Sequence, residues 1–169
     1  MALYTCIFSQ ACYDANNIIL EKFEQLTDDD FKEKTHLFNG RYENLYLTVN
    51  KLPELEMIVN TARENAANIL NVQPEKLVSG FWLNLMKAGD VTTAHTHDDD
   101  EELLSGVYYI RVPENSGDLM ITENKEKTVI KAEEGMFVFF SPKTLHEVSE
   151  NKSSQSRLSI AFNFGLKNT

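Results

Sequence analysis

Beyond Pro74 the chain is a succession of short runs rich in β-branched and aromatic residues, cut by turn signals at close intervals. LVSGFWLNLM (77–86) meets KAGD, SGVYYIRV (105–112) meets PENSGD, and DLMIT (118–122) meets ENKEK. TVIKA (128–132) then meets EEG, MFVFF (136–140) meets SPKT, and RLSIAFNFG (157–165) follows. Strands this short at this spacing predict a sandwich or jelly roll rather than alternating βαβ units. Trp82, Phe137, Phe139, Phe162 and Phe164 are assigned to the core, and Gly135 to the turn before a strand.

The first 75 residues have a different character. ALYTCIF (2–8) reads as a short strand. From Asp14, taken as an N-cap, Ile18, Ile19, Phe23 and Leu26 recur at helical spacing. The polar stretch 27–35 is read as a loop or frayed helix, and ENLYLTV (43–49) as a strand. Residues 52–70 predict a second helix, with Leu55, Ile58, Val59, Ala62 and Ala66 on one face and Pro53 in its first turn. The expectation is one domain over 1–169: a helical buttress (1–75) and a mainly β jelly-roll core (76–169), that is, a double-stranded β-helix with N-terminal α-helices.

At 169 residues, a core can be buried without disulfides or a structural metal. The net charge of −10 argues against nucleic acid as a partner, because a phosphate-tracking surface is basic. The two cysteines, Cys6 and Cys12, with no recognisable secretory segment, point to a reducing, cytoplasmic setting. No apolar run approaches the roughly 20 residues that span a bilayer, so no membrane partner is expected.

The chemistry concentrates in HTHDDDEELLSGVYY (95–109). In extended chain, residues i and i+2 point the same way, so His95 and His97 can address one point in space. His146, in FFSPKTLHEV, is a third imidazole several strands later. A local pair plus one distant histidine is what an antiparallel sandwich needs to build a metal site between neighbouring strands. Imidazole suits iron, copper, nickel and zinc, and three ligands on one face leave positions open for a cosubstrate and oxygen. The bland alternative is two exposed histidines, a solvated acidic loop and a satisfied buried histidine. His36 stands apart in the front half and supports neither reading.

The stretch GFWLNLMKAGDVTTAHTHDDDEELLSGVYYIRVPENSGDL resembles the phage-and-bacterial type of 2-oxoglutarate/iron(II) oxygenase, with its W-x-N strand, glycine turn, H-x-H and SGVYY. GMFVFFSPKTLHEVSENKSSQSRLSIAFNFG is similar to that family's F-x-P…H-x-V and closing R-x-S-x-x-F-N. More distantly, both resemble the prolyl-hydroxylase core.

The resemblance implies a dioxygenase of the phage or bacterial cytoplasm that hydroxylates an unactivated C–H bond. Iron(II) would be held by His95, His97 and His146. Arg157 would pair with the distal carboxylate of 2-oxoglutarate, which a planar guanidinium fork suits. Ser159 and Tyr109 would share that carboxylate, and Asn84 would line the pocket floor. Alternatives stay open at each position: Arg157 bridging to a surface acid, Tyr109 as core, Ser159 and Asn84 as structural. His97, Asp99 and His146 would make a two-histidine, one-carboxylate triad instead. The five acids Asp98–Glu102 are either a solvated loop or a mouth that selects a cationic substrate, such as a lysine- or arginine-containing chain. The substrate itself is a small molecule or a protein side chain. Two rival functions are a cupin-type metal enzyme without 2-oxoglutarate and a non-catalytic jelly-roll binding module.

Overall fold

The computed structural model describes residues 3–97 and 101–167. In chain order its strands are β1 (Tyr4–Phe8), β2 (Glu33–Phe38), β3 (Arg41–Tyr46), β4 (Leu77–Met86), β5 (Thr92–His95) and β6 (Glu102–Arg111). They continue as β7 (Leu119–Glu123), β8 (Glu126–Ile130), β9 (Met136–Phe140), β10 (Leu145–Val148) and β11 (Arg157–Leu166), and the helices are α1 (Gln10–Phe23) and α2 (Leu55–Leu70). The strands form a seven-stranded sheet, β1-β9-β6-β11-β4-β3-β2, and a four-stranded sheet, β5-β10-β7-β8. All pairings are antiparallel. This is the mainly β, jelly-roll architecture with supporting helices that the short runs predict.

The two helices pack on β4, β6 and β11. Leu83, Leu104, Tyr108, Ile160, Phe162 and Phe164 meet Ile19, Leu55, Ile58, Ala62 and Ala66 there. Each large apolar side chain so buried contributes about 1.5–3 kcal/mol. A second cluster, with Tyr109, Leu119, Ile121, Val138 and Phe140, occupies the space between the sheets. β9 alternates between them: Phe137 and Phe139 join the helix side, Val138 and Phe140 the inner side. A strand covered on both faces has no polar register, which is why MFVFF reads as one apolar run. Gly135 precedes it with φ +83°, a turn conformation that glycine adopts without strain. Trp82, expected in the core, is buried and also lines the cavity between the sheets, outside both clusters.

The front half differs from expectation in three places. α1 is capped by Ser9, whose hydroxyl accepts from the Cys12 N–H at 3.3 Å, while Asp14 lies inside the helix and accepts from Gln10. The stripe it buries is Cys12, Asn16, Ile19 and Phe23, so Ile18 faces out at 45% exposure and Leu26 lies beyond the helix end. α2 starts at Leu55, after Pro53, though its expected face is buried throughout and Ala67 extends it. Finally, residues 27–35 are not simply loop. After a short 3-10 turn they enter β2, which folds back on β3 through Asn39-Gly40 with φ 48° and 76°. Two successive positive φ values make the type I′ turn that Asn-Gly favours. With β1, β2 and β3 all in the large sheet, the segment 1–75 is a helical buttress only in part.

Candidate metal and cosubstrate site

Register on the large sheet sets the first half of the site. Asn84 on β4 pairs with Ser159 on β11, and Ser159 pairs with Tyr109 on β6, so these three form one row across the sheet. Arg157, two residues before Ser159 on the same strand, heads the row above, opposite Met86. The β6–β11 register slips between Leu158 and Ser159, leaving Ile110 as an extra residue. Such bulges re-aim side chains beside a site.

Arg157 is 1% exposed, and Tyr109 is fully buried beneath its guanidinium, 5.1 Å from guanidinium carbon to ring centre. Among the described residues Arg157 donates from Nη1 to the Met86 thioether at 3.2 Å, its Nε has no acceptor, and the Tyr109 hydroxyl beside the guanidinium has no acceptor for its own proton. The alternative in which Arg157 bridges a surface acid is therefore set aside. Burial holds the guanidinium pKa below its usual value and pushes the Tyr109 phenol up to about 12, although Arg157 pulls the other way. A buried cation and a buried hydroxyl, both short of acceptors, are what an incoming carboxylate satisfies. Ser159 is also buried and lines the cavity with Asn84, whose amide is set by Arg41 at 3.2 Å and Thr92 at 3.3 Å.

The other half stands on the small sheet. β5 and β10 pair with His95 opposite His146, and His97 follows just past β5, its N–H donating to the Pro142 carbonyl at 2.8 Å. One ligand atom from each of the three rings lies within 4.8 Å of the others. Nδ1 of His95 sits 2.7 Å from the Thr93 carbonyl, and Nδ1 of His146 2.9 Å from the Thr144 carbonyl. A carbonyl only accepts, so both Nδ1 atoms carry protons and both Nε2 lone pairs are free to ligate. Burial first, then the neighbouring His95 and His97, pushes the His146 pKa down to about 3, so this ring is neutral at ordinary pH. The donor set fits a mononuclear transition metal, which these three rings would hold. Asp99, the alternative ligand, lies outside the described residues.

Both halves line one cavity of about 670 Å³. A profile of the 2OG-Fe(II) oxygenase superfamily matches residues 81–165, half the chain. The chain belongs to that superfamily. The fold agrees with solved structures of low identity. A prolyl-4-hydroxylase from Pseudomonas putida has a TM-score of 0.75 at 16% identity, over 98% of this chain and 94% of that one. A 2OG-Fe(II) oxygenase-family oxidoreductase from Burkholderia pseudomallei has 0.70 at 14%, over 99% and 86%. EvdO2 from Micromonospora carbonacea var. aurantiaca, complexed with 2-oxoglutarate, has 0.65 at 13%, over 98% and 86%. No curated protein sequence matches the chain. This oxygenase is therefore an oxidoreductase that uses Fe(II) and 2-oxoglutarate, which decides against both the cupin-type reading and the non-catalytic module. No helix among its described residues is long and apolar enough to cross a membrane.

The cavity lining of this oxygenase also takes in residues to which the sequence reading gave no site role, among them His36, Glu43, Asn44 and Tyr46, all on the β2–β3 hairpin. Asn39-Gly40 is the signal that finds that hairpin. Nothing local links it to His95, roughly fifty residues on. Of the acidic run, Glu101 and Glu102 line the cavity, and Asp98–Asp100 lie outside the described residues.

Proposed function

We propose that this oxygenase hydroxylates an unactivated C–H bond, with His95, His97 and His146 holding Fe(II) and Arg157, Tyr109 and Ser159 holding the distal carboxylate of 2-oxoglutarate. The observation that carries the reading is the enclosed Arg157 with an unmet donor, in the same cavity as three convergent imidazoles. When bound, the metal and cosubstrate would supply the oxidising power: of the two atoms of dioxygen, one would enter the substrate C–H bond and the other would go to 2-oxoglutarate, which would leave as succinate and carbon dioxide.

The chain supplies position and dryness. Arg157 and the Tyr109 hydroxyl fix one end of the cosubstrate, and the Nδ1–carbonyl bonds fix two rings at the other. Trp82 stands against His97 at 5.7 Å and Phe140 against His146 at 4.7 Å, walling the centre from water. The lining includes Glu101 and Glu102, and Arg157 is its one Lys or Arg among the described residues. That balance supports a neutral or cationic substrate, a small molecule or a basic side chain, over a nucleotide.

Anaerobic titration of the metal-free protein with Fe(II) and then 2-oxoglutarate tests the reading. The expected result is a visible metal-to-ligand charge-transfer band that saturates with 2-oxoglutarate. Its absence in folded protein overturns the assignment of these residues.

A further inference from the structure

The strand that carries His95 is short and lightly supported. β5 is four residues long and lies at the edge of the small sheet, paired on one side only. Its register with β10 also slips: His146 pairs with His95 and Val148 with Thr92, so two β5 residues, Thr93 and Ala94, face the single residue Glu147. A bulge of this kind leaves backbone groups without ladder partners and lets the strand twist. Unpaired backbone in a half-buried position is costly and is normally satisfied from elsewhere.

Here it is satisfied from the other sheet. Glu43, on β3, is 5% exposed and directs both carboxylate oxygens at one residue. Thr93 N–H donates to Oε1 and Thr93 Oγ–H to Oε2, each at 3.0 Å. Arg41 supports the carboxylate from behind, its Nη2 donating to Oε1 at 3.4 Å, while its Nη1 holds Asn84 and the Leu85 carbonyl. The remaining backbone group of Thr93, its carbonyl, accepts from His95 Nδ1. Every polar group of the bulged residue is thus used, three of the contacts running from the front-half hairpin to the imidazole.

We propose that Glu43 is a positioning residue for the metal centre: by clamping Thr93 through two charge-assisted hydrogen bonds, it fixes the Thr93 carbonyl that sets the tautomer and ring orientation of His95. This rests on the assignment of His95 as a ligand. Glu43 contributes geometry rather than ligation, because both its oxygens are already occupied by Thr93. The arrangement differs from that of His146, whose Thr144 carbonyl belongs to a turn closed by its own backbone, Thr144 N–H to the Ser141 carbonyl at 3.0 Å. One ring is oriented by a local turn, the other by a side chain roughly fifty residues earlier.

Titration of the metal-free full chain with Co(II) alone, followed through its visible d–d bands, tests this without turnover. The wild-type protein is expected to bind Co(II) at one site. Glu43→Ala is expected to weaken Co(II) by about 10–100-fold, the range typical when a group behind a ligand is lost. Glu43→Gln keeps an acceptor for the Thr93 N–H and a donor for its Oγ, and is expected to restore affinity to within about threefold of wild type by that geometry. Thr93→Val, which deletes only the hydroxyl contact, should weaken Co(II) roughly fivefold. A purely structural Glu43 would lower the melting temperature and leave the Co(II) affinity of folded protein alone. Folded Glu43→Ala that binds Co(II) within twofold of wild type overturns the proposal. If Glu43→Ala does not fold, Thr93→Val decides, and affinity within twofold overturns it likewise. Wild-type protein that binds no Co(II) removes the ligand assignment itself, a failure distinct from wild type and variants binding equally.

Discussion

The two sheets that face each other across the cavity hold their functional side chains by different means. On the large sheet, Asn84, Ser159 and Tyr109 form a row set by strand pairing, with Arg157 above it beyond the β6–β11 bulge, and the strands beneath them are long and backed by the helices. On the small sheet, His95 sits on a bulged edge strand, His97 past its end and His146 on the strand beside it. The side proposed to hold the cosubstrate is placed by the hydrophobic core. The metal side is placed by individual hydrogen bonds: Thr93 and Thr144 carbonyls to two rings, and Pro142 to the His97 backbone. A grip on one carboxylate end of a small, flexible diacid tolerates the rigidity of a core. A metal site needs ring angles, and single polar contacts set angles more finely than packing does.

If the two sides are separate devices, their losses separate. His146→Ala is expected to weaken Fe(II) by more than about 100-fold, beyond what is usual for residues behind a ligand, while leaving the melting temperature of the metal-free protein near wild type or higher. Arg157→Ala is expected to leave metal affinity unchanged and to weaken 2-oxoglutarate by about 100-fold or more, as when one partner of a buried ion pair is removed. Metal titration and cosubstrate titration on both variants give four numbers. A pattern in which each substitution weakens both ligands alike breaks the division between the sheets.

Acid sharpens the same contrast. Folded His146 takes its proton near pH 3, against an ordinary value of 6.5 in the unfolded chain, because burial disfavours the imidazolium. Between those values the unfolded state holds more protons, so stability of the metal-free protein rises with pH through that window. It is fully present above about 6.5 and lost as pH falls towards 3, by at most about 1.4 kcal/mol per pH unit from this group. Replacing the ring by a neutral amide, His146→Asn, should flatten the dependence of melting temperature on pH between 6.5 and 4.5. Parallel curves for the two proteins would show that the small sheet does not carry this penalty.

The same contrast explains what can be read from sequence. Arg157, Ser159 and Tyr109 lie on long strands whose alternation is audible in RLSIAFNFG and SGVYYIRV, because one face is core and the other is cavity. The histidines follow from the i, i+2 rule and resemblance together. The hairpin that supports them does not, because EKTHLF mixes polar and apolar residues on both faces and most of β2 is exposed, so no apolar period marks it. Asn39-Gly40 does mark its turn. The apolar pattern points to Asp14 rather than Ser9 as the start of α1 because the buried stripe begins at Cys12, a thiol that packs as a small apolar residue, and runs through a buried Asn16. Asn16 is satisfied there by Tyr108 Oη–H, which donates to it at 2.8 Å. Polar residues that serve a core are invisible to a hydrophobic count. Glu43 is out of reach for another reason: its partner Thr93 is fixed only once the two sheets have closed on each other.

The smallest expected effect is the most discriminating for the large sheet, since its sign differs between two measurements. Tyr109 is fully buried and its hydroxyl has no acceptor in the absence of cosubstrate. A buried hydroxyl with no acceptor for its proton is a cost to the folded protein, so Tyr109→Phe should leave the melting temperature of the cosubstrate-free protein unchanged or raise it. With 2-oxoglutarate present the hydroxyl meets a carboxylate, and a hydrogen bond to a charged group is worth about 1.5–3 kcal/mol, so affinity should fall at least about tenfold. The phenol pKa, pushed up to about 12 by burial, keeps the hydroxyl protonated and able to donate across the whole working range of pH. A Tyr109→Phe variant that loses stability and keeps its cosubstrate affinity would return Tyr109 to the core, and leave Arg157 and Ser159 to grip the diacid alone.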